Sequence, residues 1–324
     1  MTVYLLRRIL QSLMVLVAMS VIVFAGVYAI GDPVEILISP DADQMERERA
    51  IAALGLDLPL WQQYAVFVQN ALKGDLGRSF VFNEPALQLI LAKMPATLEL
   101  AFGAMFLSIL IGLPLGLYAG LRPDSVGSRV IMAGSILGFS LPTFWVGLML
   151  IMVFAVQLGW LPSSGRGETM EFLGLQWSFL TANGWMHLAM PAFNLALFKI
   201  SLVIRLTRSG VRETMLMDYV KFARAKGLSP SRVTFVHVFK NILIPVVTVV
   251  GLELGSTIAF SVVTETVFAW PGMGKLIIDS INVLDRPVIV AYLMVIVLMF
   301  ITINLIVDIL YSVLDPRVRL ESKA

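Results

Sequence analysis

Three ionisable side chains, Lys199, Glu253 and Asp308, fall inside long apolar stretches of the sequence. Charge is costly in a membrane interior, so groups of this kind face a protein interior or a water-filled cavity, commonly paired with one another. Lys199 admits two readings. It stands six residues from Arg205, roughly 9 Å at about 1.5 Å per residue, so its stem could carry the ammonium to the membrane surface. Alternatively it is a pathway group for a carboxylate, or the partner of Glu253. Asp308, near the end of its stretch, reads as a structural ion-pair partner. Other chemistries find no support. There is no cysteine, which removes disulfides, thiolate metal sites and cysteine nucleophiles. His187 and His237 are far apart and lack ligand spacing, so no metal is expected. Gly272-Met273-Gly274-Lys275-Leu276 lacks the first glycine and the hydroxyl residue of a phosphate-cradling G-x-x-x-x-G-K-[ST] loop.

The elements that must position these groups are membrane spans. Of 324 residues, 58% are apolar and 14% charged, against about 25% charged in soluble domains, and the mean hydropathy is +0.86. This excludes a soluble enzyme and a disordered chain. A formal charge of +2 is too small to draw in nucleic acid. Six segments can each cross an apolar core of about 30 Å: 9–30, 98–119, 130–158, 186–204, 242–263 and 288–313. The third is long enough to be tilted, or bent near Pro142. Arg7, Arg8 and Val27-Tyr28-Ala29 resemble the flanks of a signal peptide. The apolar run between them is too long for a signal core of about 7–15 residues, so a retained helix is expected.

With both termini inside, the inner segments hold fifteen basic residues, while the two short outer loops hold only Arg166, Lys275 and Arg286. That bias sets the orientation. The expected fold is an all-α integral membrane protein of six spans with cytoplasmic termini. It divides into an N-terminal span (1–31), an outer helical segment (32–97), a core of spans (98–316) and a tail (317–324). Gly112, Gly116 and Gly120, and again Gly251 and Gly255, repeat at four-residue spacing, which lets helix backbones approach closely. A packed bundle is expected, with part of its contact surface given to another chain. Within 32–97, short helices are expected over 43–53 and 59–73. In the second, Trp61, Tyr64, Ala65, Val68 and Leu72 share one side, fitting either a docking face or a cap over the bundle. Between the last two spans, Trp270-Pro271-Gly272 cannot continue a helix. The run 264–275, with Glu265, Trp270, Pro271, Gly272 and Gly274, reads as a re-entrant gate at the outer mouth.

The segment 205–245 is the most informative. Val211 to Lys226 can continue the fourth span as helix, with Arg224 and Lys226 complementing its negative end. Gly227 suits the left-handed residue that closes a helix. Ser229-Pro230 reads as an N-cap with proline at the first helical position. Helix, glycine turn and second helix together make a compact projection between two spans.

Asp218-Tyr219-Val220-Lys221-Phe222-Ala223-Arg224-Ala225-Lys226-Gly227-Leu228, followed by Lys240-Asn241-Ile242-Leu243-Ile244-Pro245, resembles the coupling loop (208–240) of ABC-importer permeases, in particular the dipeptide/oligopeptide (and nickel) branch. The likeness runs along nearly the whole chain. It takes in Leu6-Arg7-Arg8, Gly31-Asp32-Pro33, Leu54-Gly55-Leu56-Asp57, Trp61-Gln62-Gln63-Tyr64 and Gly74-Asp75-Leu76-Gly77. It continues through Ala96-Thr97-Leu98-Glu99-Leu100, Arg205-Leu206-Thr207-Arg208-Ser209, the run from Thr264 to Gly274, and Asp315-Pro316-Arg317. The glutamate-alanine-alanine opening of the broad importer motif survives only as Ala223, as in the peptide branch.

The resemblance implies a non-catalytic permease subunit of a bacterial inner-membrane importer, carrying di- or oligopeptides by alternating access. It implies no cofactor on this chain, with ATP and Mg on two partner ATPase subunits. A second, non-identical permease and an extracytoplasmic substrate-binding protein complete the implied set, within membrane lipid. Tyr219 to Leu228 would form the coupling helix. Tyr219, Phe222 and Ala223 give it an apolar edge, Lys221, Arg224 and Lys226 meet acidic groups, and Gly227 and Leu228 close it. That branch usually has an uncharged residue at the position of Lys199, which ties this lysine to the cargo. The rival reading is an ion-gradient-driven transporter or channel. It would be expected to show inverted repeats, and the sequence has none. A membrane-embedded hydrolase would need a nucleophile and base within the spans, and no such pair stands out.

Overall fold

The computed structural model describes residues 2–29, 44–53 and 57–314. The motifs at Gly31-Asp32-Pro33, Leu54-Gly55-Leu56 and Asp315-Pro316-Arg317, and the tail, lie outside them. Among the described residues, five helices are long and apolar enough to cross a membrane: α1 Thr2–Ala29, α4 Ala86–Leu121, α7 Ala182–Met215, α9 Pro230–Val267 and α11 Arg286–Leu314. A sixth candidate is the bent pair α5 Val126–Ser140 and α6 Thr143–Gln157, which meet at 105°. The break falls at Leu141-Pro142, as the proline predicts. Leu141 is extended at φ −79° and ψ 134°, because the proline ring crowds the preceding residue out of the helical region.

By compactness the chain forms two units, Met1–Pro95 with Gly272–Thr302, and Ala96–Pro271 with Ile303–Ala324. In the second unit, Ala96, Leu100 and Ala104 of α4 pack on Leu188, Ala192, Leu195, Ala196, Ile200 and Ile204 of α7, with Trp270 completing the cluster. The glycine stripe extends this seam. Gly112, Gly116 and Gly120 lie against Val203, Thr207 and Val211 of α7, and Gly251 lies against Val307. These stripes are therefore occupied within the chain. A hairpin, β1 Met170–Phe172 with β2 Leu175–Trp177, interrupts the otherwise helical fold. Leu173 and Gly174 at its tip both adopt positive φ, 54° and 75°, the backbone that a tight two-residue hairpin turn demands.

The first unit holds α1, α2 Gln44–Ala53, α3 Leu60–Leu72 and α10 Met273–Asn282. Both short helices appear where amphipathic spacing predicts them. Tyr64 of the named side and Phe67 beside it meet Phe24 of α1 at ring distances of 5.4 and 5.9 Å. Ser20 and Tyr64 share a hydrogen bond of 2.8 Å, while Trp61, Ala65 and Leu72 remain exposed. Asp285 is buried and accepts from the Ser79 hydroxyl and, at 3.1 Å, from the backbone N–H of Phe80.

Candidate functional site

The projection between α7 and α9 contains a separate helix, α8 Asp218–Ala225. This corrects the expectation of one helix from Val211 through Lys226. The chain breaks at Met217, which is extended at ψ 146°. The physical reason is burial: Val220 and Ala223 join Val211, Val233, Val238 and Ile242 in one apolar cluster, which a straight continuation would forfeit. Asp218 sits in the first turn of α8, where its charge favours the helix N-terminus, and receives Lys221 Nζ at 2.9 Å.

The closing turn forms as the sequence predicts. Gly227 has φ +75°, its N–H donates to Arg224 O at 2.9 Å, and Leu228 N–H donates to Ala223 O at 3.3 Å. These two bonds form a Schellman cap. Ser229 then accepts from Arg232 N–H at 3.4 Å to open α9, and Leu228 packs on the buried cluster. Ala223 faces inward, so the free apolar edge of α8 is narrower than expected. It consists of Tyr219, 44% exposed, and Phe222, 61% exposed. Lys226 Nζ lies 4.5 Å from the centroid of the Phe222 ring, and Arg224 reaches Met215 Sδ at 3.3 Å.

At the other end of α9, Glu265 is fully buried. It accepts from Thr97 Oγ1 at 2.7 Å and Ser261 Oγ at 2.9 Å. Ala269 turns the chain with φ 46°. Trp270 follows, buried, donating from its indole to Ala96 O at 2.8 Å and from its backbone to Glu265 O at 2.8 Å. Trp270 and Glu265 thus anchor the turn in the packed interior. Pro271 ends it, Gly272 is extended, and Gly274 is buried in the first turn of α10.

Lys199 pairs with Glu253. Its ammonium meets the Glu253 carboxylate and donates to Ser256 Oγ at 2.8 Å. Lys199 is buried, which overturns the reading in which it reaches the membrane surface. The sequence reading missed Glu99, a buried carboxylate within the second apolar stretch. It receives Arg166 Nε at 2.8 Å and both the backbone N–H and the hydroxyl of Ser178. Arg166 also donates to Gln176 O at 2.6 Å. The available signal was a lone acid in an apolar run, matched by a lone basic residue in the loop between the third and fourth predicted spans.

Residues 112–320 match the family described as "Binding-protein-dependent transport system inner membrane component". Residues 1–101 match the N-terminal membrane component of the same transport systems. The chain belongs to this family. The permease is 41% identical to the di/tripeptide transport system permease protein DppB of Pseudomonas aeruginosa, over 89% of this chain and 90% of that one. It is 36% identical to the dipeptide transport system permease protein DppB of Escherichia coli, over 98% of each. Against the oligopeptide transport system permease protein AppB of Bacillus subtilis it is 38% identical, over 98% of this chain and 99% of that one. A chain of the MetNI methionine ABC transporter, in an inward-facing form, shares the fold with a TM-score of 0.54 at 18% identity, covering 72% of this permease and 99% of that chain. The permease is therefore a non-catalytic, multi-pass inner-membrane subunit of an ABC transport system. Membership implies ATPase and binding-protein partners and no cofactor on this chain.

Proposed function

We propose that the permease imports di- or oligopeptides from an extracytoplasmic binding protein, with α8 as the coupling helix. Both termini lie inside, and six spans cross the membrane once α5 and α6 are counted together. A second, similar permease and two ATPase subunits that carry ATP and Mg complete the assembly. The observation that carries the coupling role is the two-sided character of α8. Val220 and Ala223 lock one side to the base of α7 and α9, while Tyr219 and Phe222 leave an apolar edge open. Seated in an ATPase cleft, that edge receives motion and the locked side passes it to the two spans. Lys221, Arg224 and Lys226 meet acidic groups around the cleft. Such a switch requires contacts that differ between the two states. At the other face, the turn from Glu265 to Gly274 serves as the gate, and Lys199 and Glu253 line the pathway. Cargo chemistry follows the three relatives, all named for peptides.

Replacing Gly227 tests the lever. A Cβ there meets nothing within 4 Å, yet the φ of +75° is one that side chains rarely adopt. Valine would cost about 1–3 kcal/mol of local strain and reshape the cap without touching the bundle. Gly227→Val is expected to insert and assemble normally while ATP hydrolysis continues with peptide uptake largely lost. Gly227→Asn, which tolerates this conformation, is expected to retain most uptake. Normal uptake by the valine variant in proteoliposomes would refute the coupling role of this cap.

A further inference from the structure

The Lys199–Glu253 pair lies at the middle of both α7 and α9, where burying two charges is costly. Within this chain the pair is enclosed on one side only. The Lys199 side chain is 9% exposed and that of Glu253 is 30% exposed. Ser256 and Phe260 follow Glu253 at three and seven residues, on the same helix face. Ser256 is partly open and Phe260 largely exposed. A carboxylate on a lipid-facing surface would be strongly disfavoured, so this face of α9 fits a wet pathway.

Resting on the peptide-importer reading above, we propose that Lys199 and Glu253 form a transit site for the zwitterionic ends of the cargo. Glu253 takes the α-ammonium and Lys199 the terminal carboxylate as the pair opens. The argument is charge balance in a low-dielectric interior. When one ion pair is exchanged for two of matching sign, every charge stays compensated. A singly charged solute would leave one protein charge bare. Ser256 supplies the hinge of the exchange. Its Oγ accepts from Lys199 at 2.8 Å and lies 2.8 Å from a Glu253 carboxylate oxygen and 2.9 Å from the Glu253 backbone carbonyl. A hydroxyl both donates and accepts, so it can remain bonded to either partner after the pair separates. The site thus favours a solute with one free charge of each sign, and a wide range of side chains could pass between those ends.

The test uses the complete transporter, with its own ATPases and binding protein, in proteoliposomes supplied with alanyl-alanine. Removing one charge leaves the other buried alone, so the informative variant is the double Lys199→Met/Glu253→Met. An apolar substitute for a structural pair is tolerated. The expected result is a complex that assembles but moves at least tenfold less peptide per ATP hydrolysed. Wild-type yield of peptide per ATP in the double variant would overturn the proposal. Should the double variant fail to assemble, Glu253→Asp decides, since it keeps both charges and draws the carboxylate back by one methylene. A several-fold rise in the peptide concentration for half-maximal uptake supports the site, and an unchanged value overturns it. Absence of ATP-dependent uptake by the wild type would instead count against the importer reading.

Discussion

Gly116→Ala in α4 is expected to destabilise the permease by about 3 kcal/mol or more and to lower sharply the yield of folded protein. A Cβ at this position would stand 2.6 Å from Thr207 Cβ and 2.8 Å from the backbone oxygen of Ile204. A flexible side chain could move aside, but a backbone carbonyl in the middle of α7 cannot do so unless the helix shifts. Overpacking ordinarily costs about 1–3 kcal/mol. Here the same displacement would also loosen the contacts of Gly112 with Val203 and of Gly120 with Val211. In a membrane the seam has little hydrophobic force to restore it, because lipid is as apolar as the side chains and close packing holds the helices together. Gly134→Ala in α5 is the matched control, since a Cβ there meets nothing within 4 Å. It is expected to leave stability within about 1 kcal/mol of the wild type. Thermal unfolding in mild detergent measures both variants. Equal stability of the two would mean that the α4–α7 seam is looser than its geometry implies.

The second large effect concerns Glu99. Glu99→Gln keeps the shape of the side chain but removes the charge that compensates Arg166, whose side chain is only 11% exposed. Breaking a buried pair by removing one partner costs about 3–5 kcal/mol, and the two bonds from Ser178 weaken with it. The consequence is local. Arg166 and Ser178 flank the hairpin Met170–Trp177, so this one carboxylate ties both of its ends to α4. Glu99→Gln is expected to make the segment between Gly159 and Thr181 susceptible to protease while the spans stay protected. The double variant Glu99→Gln/Arg166→Gln should recover part of the loss, because no bare cation remains. Identical cleavage of wild type and Glu99→Gln would show that the loop is held by other contacts.

What could be read from the sequence is what local physics encodes. Apolar runs of spanning length gave the long helices, Pro142 marked the sharp bend, and Gly227 with Ser229-Pro230 marked the turn between α8 and α9. The pairing of Glu99 with Arg166 was not legible. Glu99 and Arg166 are separated by 67 residues, and no periodicity links them. The glycine stripe announced a close helix contact without naming its occupant, which is α7. The break at Met217 was also hidden, since α7 and α8 are both good helix sequences. What separates them is the burial of Val220 and Ala223 against residues that follow later in the chain. Lys199 stands between these cases. The sequence left open a side chain reaching for the surface, a pathway group and a partner of Glu253, and the approach of α9 brings Glu253 to it.

The most direct test is accumulation of alanyl-alanine by proteoliposomes holding this permease with its co-purified partner chains and binding protein. ATP on the ATPase side and ionophores are varied independently. Peptide should accumulate only with ATP and remain indifferent to collapse of ion gradients. Accumulation without ATP that ionophores abolish would contradict the ATP-driven account and favour a gradient-driven transporter.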